Sequence, residues 1–156
     1  MDEIDLKILS IIQQDGRVCN ADIARQVELA QSATLERIRK LENRGVIQSY
    51  EARLDPAVLG VGLLAFIFVR TDDRWGALKA GSKLAEIPEV LEVHNVAGED
   101  CYLVKVRVAD TAALARLLRE KFSEYDTRST IVLETLKETT RLPLPVKQER
   151  KSKRNL

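Results

Sequence analysis

The sequence is poor in side chains that bind metals or act as nucleophiles, because its 156 residues include one histidine and two cysteines. These are too few for a closed zinc site unless carboxylates or a second chain supply ligands. Cys19 and Cys101 lie far apart without a C-x-x-C motif, so we expect two reduced thiols. His94 and Cys101 have no third group to orient them, which argues against a catalytic thiol. We therefore predict that the chain is not an enzyme and needs neither a metal nor another cofactor.

The sequence also lacks a long hydrophobic run. Its longest apolar stretch, 61–69, is about half of the ~18 residues that a membrane-spanning helix requires. The first residues are acidic, whereas a signal peptide begins with a basic region and an apolar core. We therefore expect a cytoplasmic protein with no membrane partner.

Neither sign of charge is in large excess, since 25 lysines and arginines balance 24 aspartates and glutamates for a net charge of +1. This excludes a chain-wide attraction to a polyanion, so any binding to nucleic acid must come from a local surface. The balance is broken at the C-terminal end, where residues 147–154 hold five cations and one anion. Because prolines at 143 and 145 interrupt regular structure, we predict that residues 142–156 form a disordered basic tail.

Residues 1–50 have the hydrophobic spacing of three short helices. Apolar residues recur every three or four positions, as on one buried helix face, and Asp15-Gly16 predicts a turn after the first helix. Asn20 is the predicted N-cap of the second helix, and Gly45 the predicted C-cap of the third. The third helix, 31–44, is expected to bury a stripe made of Leu35, Ile38 and Leu41.

This third helix has the side chains of a DNA-reading helix in a helix-turn-helix. The major groove admits one α-helix, and serine, threonine, glutamine and cationic side chains can contact bases or phosphates. The alternative is a solvated amphipathic helix on which Glu36 and Lys40 form a surface ion pair. The residues that we predict to contact DNA are Ser32, Thr34, Arg37 and Lys40.

From residue 63 onward, strands and helices are predicted to alternate. Apolar runs and alternating patterns predict strands over 63–69, 90–96, 102–108 and 127–136, with helices over 75–86 and from Asp110 or Thr111. The order strand, helix, strand, strand, helix, strand is that of a ferredoxin-like βαββαβ sandwich. We thus predict an α+β chain with an N-terminal helix-turn-helix domain (1–50), a linker (51–62), a ferredoxin-like domain (63–141) and the tail.

An ordered set of motifs resembles the Lrp/AsnC (leucine-responsive, feast/famine) family of transcription regulators. The motifs are Asp5-x-x-Ile8-Leu9, Asp15-Gly16-Arg17, Ile23-Ala24, Leu35-x-x-Ile38-x-x-Leu41-x-x-x-Gly45-Val46-Ile47, Asp55-Pro56-x-x-x-Gly60, Val96-Ala97-Gly98-Glu99-Asp100-Cys101-Tyr102-Leu103 and Thr127-Arg128-Ser129-Thr130. The resemblance implies a sequence-specific DNA-binding transcription regulator that responds to an amino acid or related metabolite. Its partners would be double-stranded DNA and that small effector.

The resemblance also implies that the second domain forms a homodimer through its sheet, and that dimers assemble into tetramers or octamers. The first strand supports this independently, because it is apolar on both sides and two helices cover only one sheet face. Effectors of the family bind near the glycine-containing turn, here 98–102, which is otherwise most simply a surface hairpin with solvated acids. Backbone N–H groups, carboxylates and hydroxyls suit an amino acid. The predicted effector residues are Gly98, Glu99, Asp100, Tyr102, Thr127, Ser129 and Thr130.

Three residues depart from the family pattern. Glu28 replaces the usual glycine of the turn before the third helix, Ala30 replaces a capping serine, and Cys101 replaces an acid before the tyrosine. A non-glycine residue at positive φ and a lost cap each cost about 1 kcal/mol. Either the turn is reshaped, with Ser32 capping a later start, or the domain is less stable than its relatives.

Two other functions are compatible with the sequence. One is an architectural protein that wraps DNA without sequence preference, for which the ratio of specific to non-specific affinity would be near one. The other is a metabolite-binding module that acts through a protein partner.

Overall fold

The computed structural model describes residues 1–71 and 74–145. The chain divides into two compact units. The helical unit consists of Met1–Ala52 and the described part of Glu138–Leu156, and the sheet unit consists of Arg53–Lys137. In the described ranges, no helix is both long and apolar enough to cross a membrane.

The helical unit starts with the three predicted helices, α1 (Glu3–Gln14), α2 (Asn20–Val27) and α3 (Gln31–Asn43). Helix α1 begins with a capping box, in which the Asp5 N–H donates to Asp2 Oδ1 at 2.9 Å and the Asp2 N–H donates to Asp5 Oδ2 at 3.0 Å. These bonds satisfy two N–H groups that the helix itself leaves free. The three helices bury one apolar cluster, made of Ile8, Leu9, Ile23, Val27, Ile38 and Leu41.

The predicted helix caps are partly correct. Gly45 follows α3 at φ +67, the left-handed conformation of a glycine that ends a helix, as predicted. The N-cap of α2 is Cys19 and not Asn20, which is the first helical residue. The Asn20 side chain donates from Nδ2 to the carbonyl of Gln31 at 2.9 Å and thereby connects α2 to the start of α3.

The turn between α2 and α3 keeps a glycine conformation without a glycine. Glu28 has φ 56 and ψ 43, a left-handed conformation in which a Cβ costs about 1 kcal/mol. Ala30 is the N-cap of α3 and makes no side-chain capping bond, while Ser32 already lies inside the helix. The turn is therefore not reshaped, Ser32 does not cap a later start, and the lower stability of the domain stays a prediction.

The sheet unit has the predicted ferredoxin-like α+β topology. Its strands are β1 (Leu63–Arg70), β2 (Val90–Asn95), β3 (Tyr102–Val108) and β4 (Asp126–Ile131), and its helices are α4 (Arg74–Ala85) and α5 (Thr111–Lys121). The strands form one antiparallel sheet in the order β2-β3-β1-β4. Asp110 caps α5, with Oδ1 accepting from the Ala113 N–H at 2.7 Å. Strand β4 ends at Ile131, before the predicted residue 136, and residues 132–145 are irregular.

The two faces of the sheet differ in burial. One face packs against α4 and α5 and is fully buried at Ala65, Ile67 and Val69 of β1. On the opposite face, which we call the open face, Phe66 and Phe68 remain half-buried. Strand β1 is apolar on both sides, and within a single chain its two phenylalanines are only partly covered.

The C-terminal boundary of the sheet unit lies earlier than predicted. Residues 138–141 were assigned to the sandwich and residues 142–145 to the tail, but all eight belong to the helical unit. The Leu142 N–H donates to Gln13 Oε1 at 2.7 Å, and Leu144 packs against the apolar cluster of the helices. The rest of the predicted tail, 146–156, lies outside the described residues.

Candidate functional site

The buried stripe of α3 is rotated from its predicted position. It consists of Thr34, Ile38 and Leu41, whereas Leu35, predicted to be buried, is 38% exposed. Thr34 is 0% exposed, and its hydroxyl donates to the Ala30 carbonyl at 3.1 Å. The prediction that Thr34 contacts DNA is therefore wrong, because its side chain faces the interior.

Arg37, a second predicted DNA contact, is held inside the helical unit. Its Nη1 lies 2.7 Å from Asp2 Oδ2 and 2.8 Å from Asp5 Oδ1. The Asp5 N–H and then the Arg37 guanidinium lower the pKa of Asp2, and hydrogen bonds to Asp2 and Asp5 raise the pKa of Arg37. Arg37 thus connects α3 to the start of α1, and its charge is already compensated.

The side of α3 opposite the buried stripe carries a row of exposed polar residues. A helix turns by 3.6 residues, so positions i, i+4, i+7 and i+11 lie on one line. Here that line consists of Ser32, Glu36, Arg39 and Asn43, all exposed, and we call it the recognition stripe. Lys40 flanks it, with Nζ 2.6 Å from Glu36 Oε1, and lowers the pKa of Glu36. The predicted contacts Ser32 and Lys40 are thus on the exposed side.

Arg39 and Asn43 lie on the recognition stripe but were not among the residues predicted to contact DNA, although both are exposed. A helix turns by about 100° per residue, so Arg39 and Asn43 lie roughly 130° and 170° around the helix from the centre of the buried stripe. For Arg37, the sequence did contain a signal: the capping pattern Asp2-x-x-Asp5 places two acidic groups at the start of α1, where they can bind a basic residue of α3.

In the sheet unit, the predicted effector turn lies between β2 and β3. Gly98 has φ +149, which favours glycine, and a Cβ placed there would meet no atom within 4 Å. Glu99 is exposed, and Asp100 is half-buried. The Asp100 carboxylate binds Arg128 across the sheet end, with Oδ2 3.1 Å from Nη2. The turn and the start of β4 are therefore brought together.

The hydroxyls predicted on β4 do not share one face. Residues opposite each other in an antiparallel ladder point to the same side of the sheet. Thr127 pairs with Val69 and Ser129 with Ile67, so both lie on the helix-covered face. Thr130 pairs with Phe66 on the open face. Within one chain, Thr127 and Ser129 therefore lie on the opposite side of the sheet from Thr130.

Tyr102 is also part of the core. It is 5% exposed, on the face that packs against α4. A Cβ added at Gly81 would lie 2.8 Å from both Cε1 and Oη of Tyr102, so the tyrosine ring rests directly on the α4 backbone. In this conformation the prediction that Tyr102 contacts an effector is not met.

Arg128, which was not among the predicted effector residues, lies beside Asp100. It pairs with Phe68 in the ladder, and its guanidinium carbon lies 4.5 Å from the centroid of the Phe68 ring. A cation over an aromatic face is attracted by the ring quadrupole, which fixes the guanidinium next to Asp100. The alternation of β4 alone was enough to group Arg128 with Thr130.

The two candidates for thiol chemistry do not meet. His94 Nε2 lies 3.1 Å from Glu92 Oε2, whereas Cys101 Sγ lies 3.9 Å from Thr71 Oγ1. Glu92 has a pKa below its usual value because of hydrogen bonds to His94 and then to Lys105. Over residues 1–71 and 74–145, no cluster of three or more metal-ligating side chains is present.

Comparison with known proteins covers both units. A family model of the Lrp/AsnC ligand binding domain matches residues 64–142, and a model of winged helix-turn-helix DNA-binding domains matches residues 1–48. The chain is 40% identical to HTH-type transcriptional regulator FL11 of Pyrococcus horikoshii, over 92% of this chain and 97% of that protein. The chain belongs to the Lrp/AsnC family of transcription regulators.

Other members of the Lrp/AsnC family agree over nearly the whole chain. The leucine-responsive regulatory protein of Escherichia coli K12 is 36% identical over 91% of this chain and 90% of that protein. A crystal structure of a Neisseria meningitidis transcriptional regulator in complex with L-methionine superposes with a TM-score of 0.87. It is 32% identical and covers 93% of this chain and 97% of that chain.

Membership of the Lrp/AsnC family confirms several sequence predictions. The motifs identified the family, and the predicted helix-turn-helix with a ferredoxin-like sandwich is the fold. The chain is a DNA-binding transcription regulator and not an enzyme. The family motifs do not identify the individual contact residues. These depend on which side chains of α3 are exposed and on which sheet face each residue of β4 lies.

Proposed function

We propose that the recognition stripe of α3 reads base edges in the DNA major groove as part of a sequence-specific, amino-acid-responsive regulator. The main support is that Ser32, Arg39 and Asn43 are exposed along one line of α3, the second helix of the helix-turn-helix. Arginine pairs with guanine and asparagine with adenine through two hydrogen bonds each. Lys40 at the edge of the stripe suits a phosphate contact.

Selection of bound fragments from the genome of the source organism tests this proposal. The full-length chain should enrich an approximately palindromic motif, since a two-fold symmetric regulator places two recognition helices on two half-sites. Competition with random duplex at rising salt measures the ratio of specific to non-specific affinity. A ratio near one would contradict specific reading and favour the architectural function instead.

We further propose that an α-amino acid binds where the 98–100 turn meets β4. Asp100 and Arg128 supply one carboxylate and one guanidinium, which complement the ammonium and carboxylate of an amino acid. Backbone N–H groups of the turn and Thr130 add further partners, while Tyr102, Thr127 and Ser129 face the core side. The complex of the Neisseria regulator with L-methionine supports this ligand class.

Isothermal titration calorimetry of the full-length chain with each standard amino acid tests the effector site. For the amino acid that binds, Asp100→Asn and Arg128→Met should each weaken binding by about tenfold or more, because each removes a charge-assisted hydrogen bond. Glu124→Gln is the matched control, since it breaks a surface ion pair with Lys83 elsewhere on the sheet unit (3.2 Å). Wild-type affinity in both Asp100→Asn and Arg128→Met would contradict the proposed site.

We also propose that the open face, centred on Phe66 and Phe68, packs on a second copy of the chain, and that the resulting homodimers form tetramers or octamers. Leu133 and Leu136 beyond β4 are 98% and 88% exposed in the single chain, and these large apolar side chains favour a covered surface. Sedimentation equilibrium should give a dimer or a higher even multiple at micromolar concentration. A monomer would contradict this assembly. Because the regulator acts on DNA, we place it in the cytoplasm.

A further inference from the structure

Asn20, the first residue of α2, has one hydrogen-bonded side-chain atom and one buried atom without a partner. Its Nδ2 donates to the carbonyl of Gln31, the first residue of α3, at 2.9 Å. Its Oδ1 is buried and accepts no hydrogen bond from any residue in the described ranges. A buried amide oxygen without a donor lowers the stability of a folded protein. Stability alone therefore does not explain an asparagine at this position.

The surroundings of Asn20 favour an apolar side chain. Asn20 follows the N-cap Cys19, so its side chain is not the one that would cap α2. It lines a cleft of about 250 Å³ in the helical unit. The other lining residues are mostly apolar and include Ile12, Val18, Ile23 and Ile38. A leucine in place of Asn20 would match these neighbours and would leave no buried oxygen unpaired.

The turn that leads into α3 does not fix the start of that helix by a side-chain cap. Ala30, the N-cap of α3, makes no side-chain hydrogen bond. Glu28 has φ 56, a left-handed conformation that is strained for a residue with a Cβ. The bond from Asn20 is made to Gln31, directly after Ala30. Asn20 thus restrains the start of α3 from the side of α2.

Helix α3 is held at two points along its length. Arg37 binds Asp2 and Asp5 of α1 and fixes the middle of α3. Asn20 fixes Gln31, which lies about 9 Å from Arg37 along the axis at 1.5 Å per residue. Two separated contacts set the direction of a helix, whereas a single contact lets the helix pivot. Without the bond from Asn20, the start of α3 can therefore move about Arg37.

We propose that Asn20 is a positioning residue that sets the direction of α3 for reading base edges, although it lowers the stability of the helical unit. The inference rests on the proposed reading of DNA by the recognition stripe. Hydrogen bonds to base edges weaken steeply when their distance or angle changes. Attraction between cations and phosphates tolerates such a shift and carries no sequence information. Loss of the bond from Asn20 should therefore lower discrimination between sequences more than non-specific affinity.

Asn20→Leu tests the inference in the full-length chain, because leucine keeps the branch at Cγ but removes both the donor and the unpaired oxygen. Its melting temperature should equal or exceed that of the wild type. The ratio of affinities for the selected operator and for duplexes with one changed base pair should fall by about fivefold or more. This is the lower end of what one well-formed base contact contributes. Affinity for random duplex should stay near the wild-type value.

Asn20→Asp is a second variant with almost the shape of asparagine. An aspartate oxygen cannot donate to the Gln31 carbonyl, so the ratio should fall here as well. The added negative charge weakens binding to both duplexes alike, because the two duplexes carry the same charge, and it therefore leaves the ratio unaffected.

Two control variants separate positioning from stability. Gln14→Leu replaces a side-chain amide with leucine at an exposed position at the end of α1. Ile8→Val removes one carbon from a fully buried side chain of α1 and should lower the melting temperature. Both controls should keep the wild-type ratio of affinities.

A wild-type ratio in folded Asn20→Leu and Asn20→Asp would overturn the positioning role. An equal loss of discrimination in Ile8→Val would overturn it too, because the loss would then follow stability. A melting temperature of Asn20→Leu below that of the wild type would contradict the lowered stability. The proposed function fails in a different way, since the wild-type chain itself would then show no preference for any operator. The two failures are therefore distinguishable within one set of titrations.

Discussion

The guanidinium of Arg37 in α3 donates to the carboxylate of Asp2, the N-cap of α1, over 2.7 Å. The same Nη1 lies 2.8 Å from Asp5, the other member of the capping box. One cation thus joins the start of α1 to the middle of α3. This contact orients α3 and holds the Arg37 guanidinium within the helical unit.

Replacing Arg37 with methionine should lower the melting temperature of the helical unit. The substitution keeps most of the apolar stem but leaves two neighbouring carboxylates without their cation. Arg25→Met is the control, since its ion pair with Asp22 at 2.9 Å is exposed and such pairs contribute little. Thermal unfolding followed by circular dichroism should show a larger decrease for Arg37→Met. Equal melting temperatures for the two variants would show that the Arg37 contact is not structural.

The stability of the helical unit should fall at acidic pH through Asp2. Hydrogen bonds from Asp5 N–H and Arg37 hold the pKa of Asp2 below its unfolded value, which is near 4 for aspartate. The stabilisation is therefore present above about pH 4 and is lost as the pH falls through the lowered pKa. Asp2→Asn, which keeps an N-cap side chain, should flatten the fall in melting temperature between about pH 4 and pH 2. An unchanged pH dependence in this variant would contradict the assignment to Asp2.

Replacing Glu28 with glycine should stabilise the helical unit by about 0.5 to 1 kcal/mol. Glu28 has φ 56, and glycine adopts this conformation without the Cβ penalty. Glu28→Ala keeps the Cβ and removes the charge, so it separates backbone strain from electrostatics. Urea unfolding should show a gain for glycine only. A similar gain for alanine would assign the effect to the charge of Glu28.

Replacing Gly81 with alanine should destabilise the sheet unit by about 1 to 3 kcal/mol, the usual cost of overpacking. The new Cβ would lie 2.8 Å from Tyr102, whose ring is buried between β3 and α4. Ser82→Ala, at an exposed position of the same helix, should change the free energy of unfolding by less than about 0.5 kcal/mol. Wild-type stability of the Gly81→Ala variant would show that the Tyr102 ring shifts without a loss of folding free energy.

The order of the elements was readable from the sequence because periodicity reports which side of an element is buried. Helices α3 and α4 and strands β1, β2 and β3 lie within about one residue of their predicted bounds. Strand β4 was predicted too long, because the apolar residues Leu133 and Leu136 continued its pattern while remaining exposed. Apolar character alone does not distinguish a strand from an apolar segment after it.

The contact residues were harder to predict, because they depend on tertiary contacts. Thr34 reads as a polar surface residue, but it is buried since its hydroxyl can bond the Ala30 carbonyl. The sequence alone predicts that Arg37 contacts DNA, but in the structure Arg37 binds Asp2 and Asp5 of the capping box of α1. The hydrogen bonds of Arg141 to Gln14 and of Leu142 to Gln13 join residues more than 120 positions apart, and no local sequence pattern predicts such contacts.

We propose that Arg39, and neither Thr34 nor Arg37, reads DNA. The most direct measurement is the affinity of full-length Arg39→Ala and Thr34→Val for the selected operator and for duplexes with single base-pair changes. We predict that Arg39→Ala loses about 1 to 3 kcal/mol of discrimination at one base pair per half-site. Thr34→Val, which keeps the buried shape, should retain wild-type affinity and discrimination. Full discrimination in Arg39→Ala, or its loss in a folded Thr34→Val, would contradict the recognition stripe.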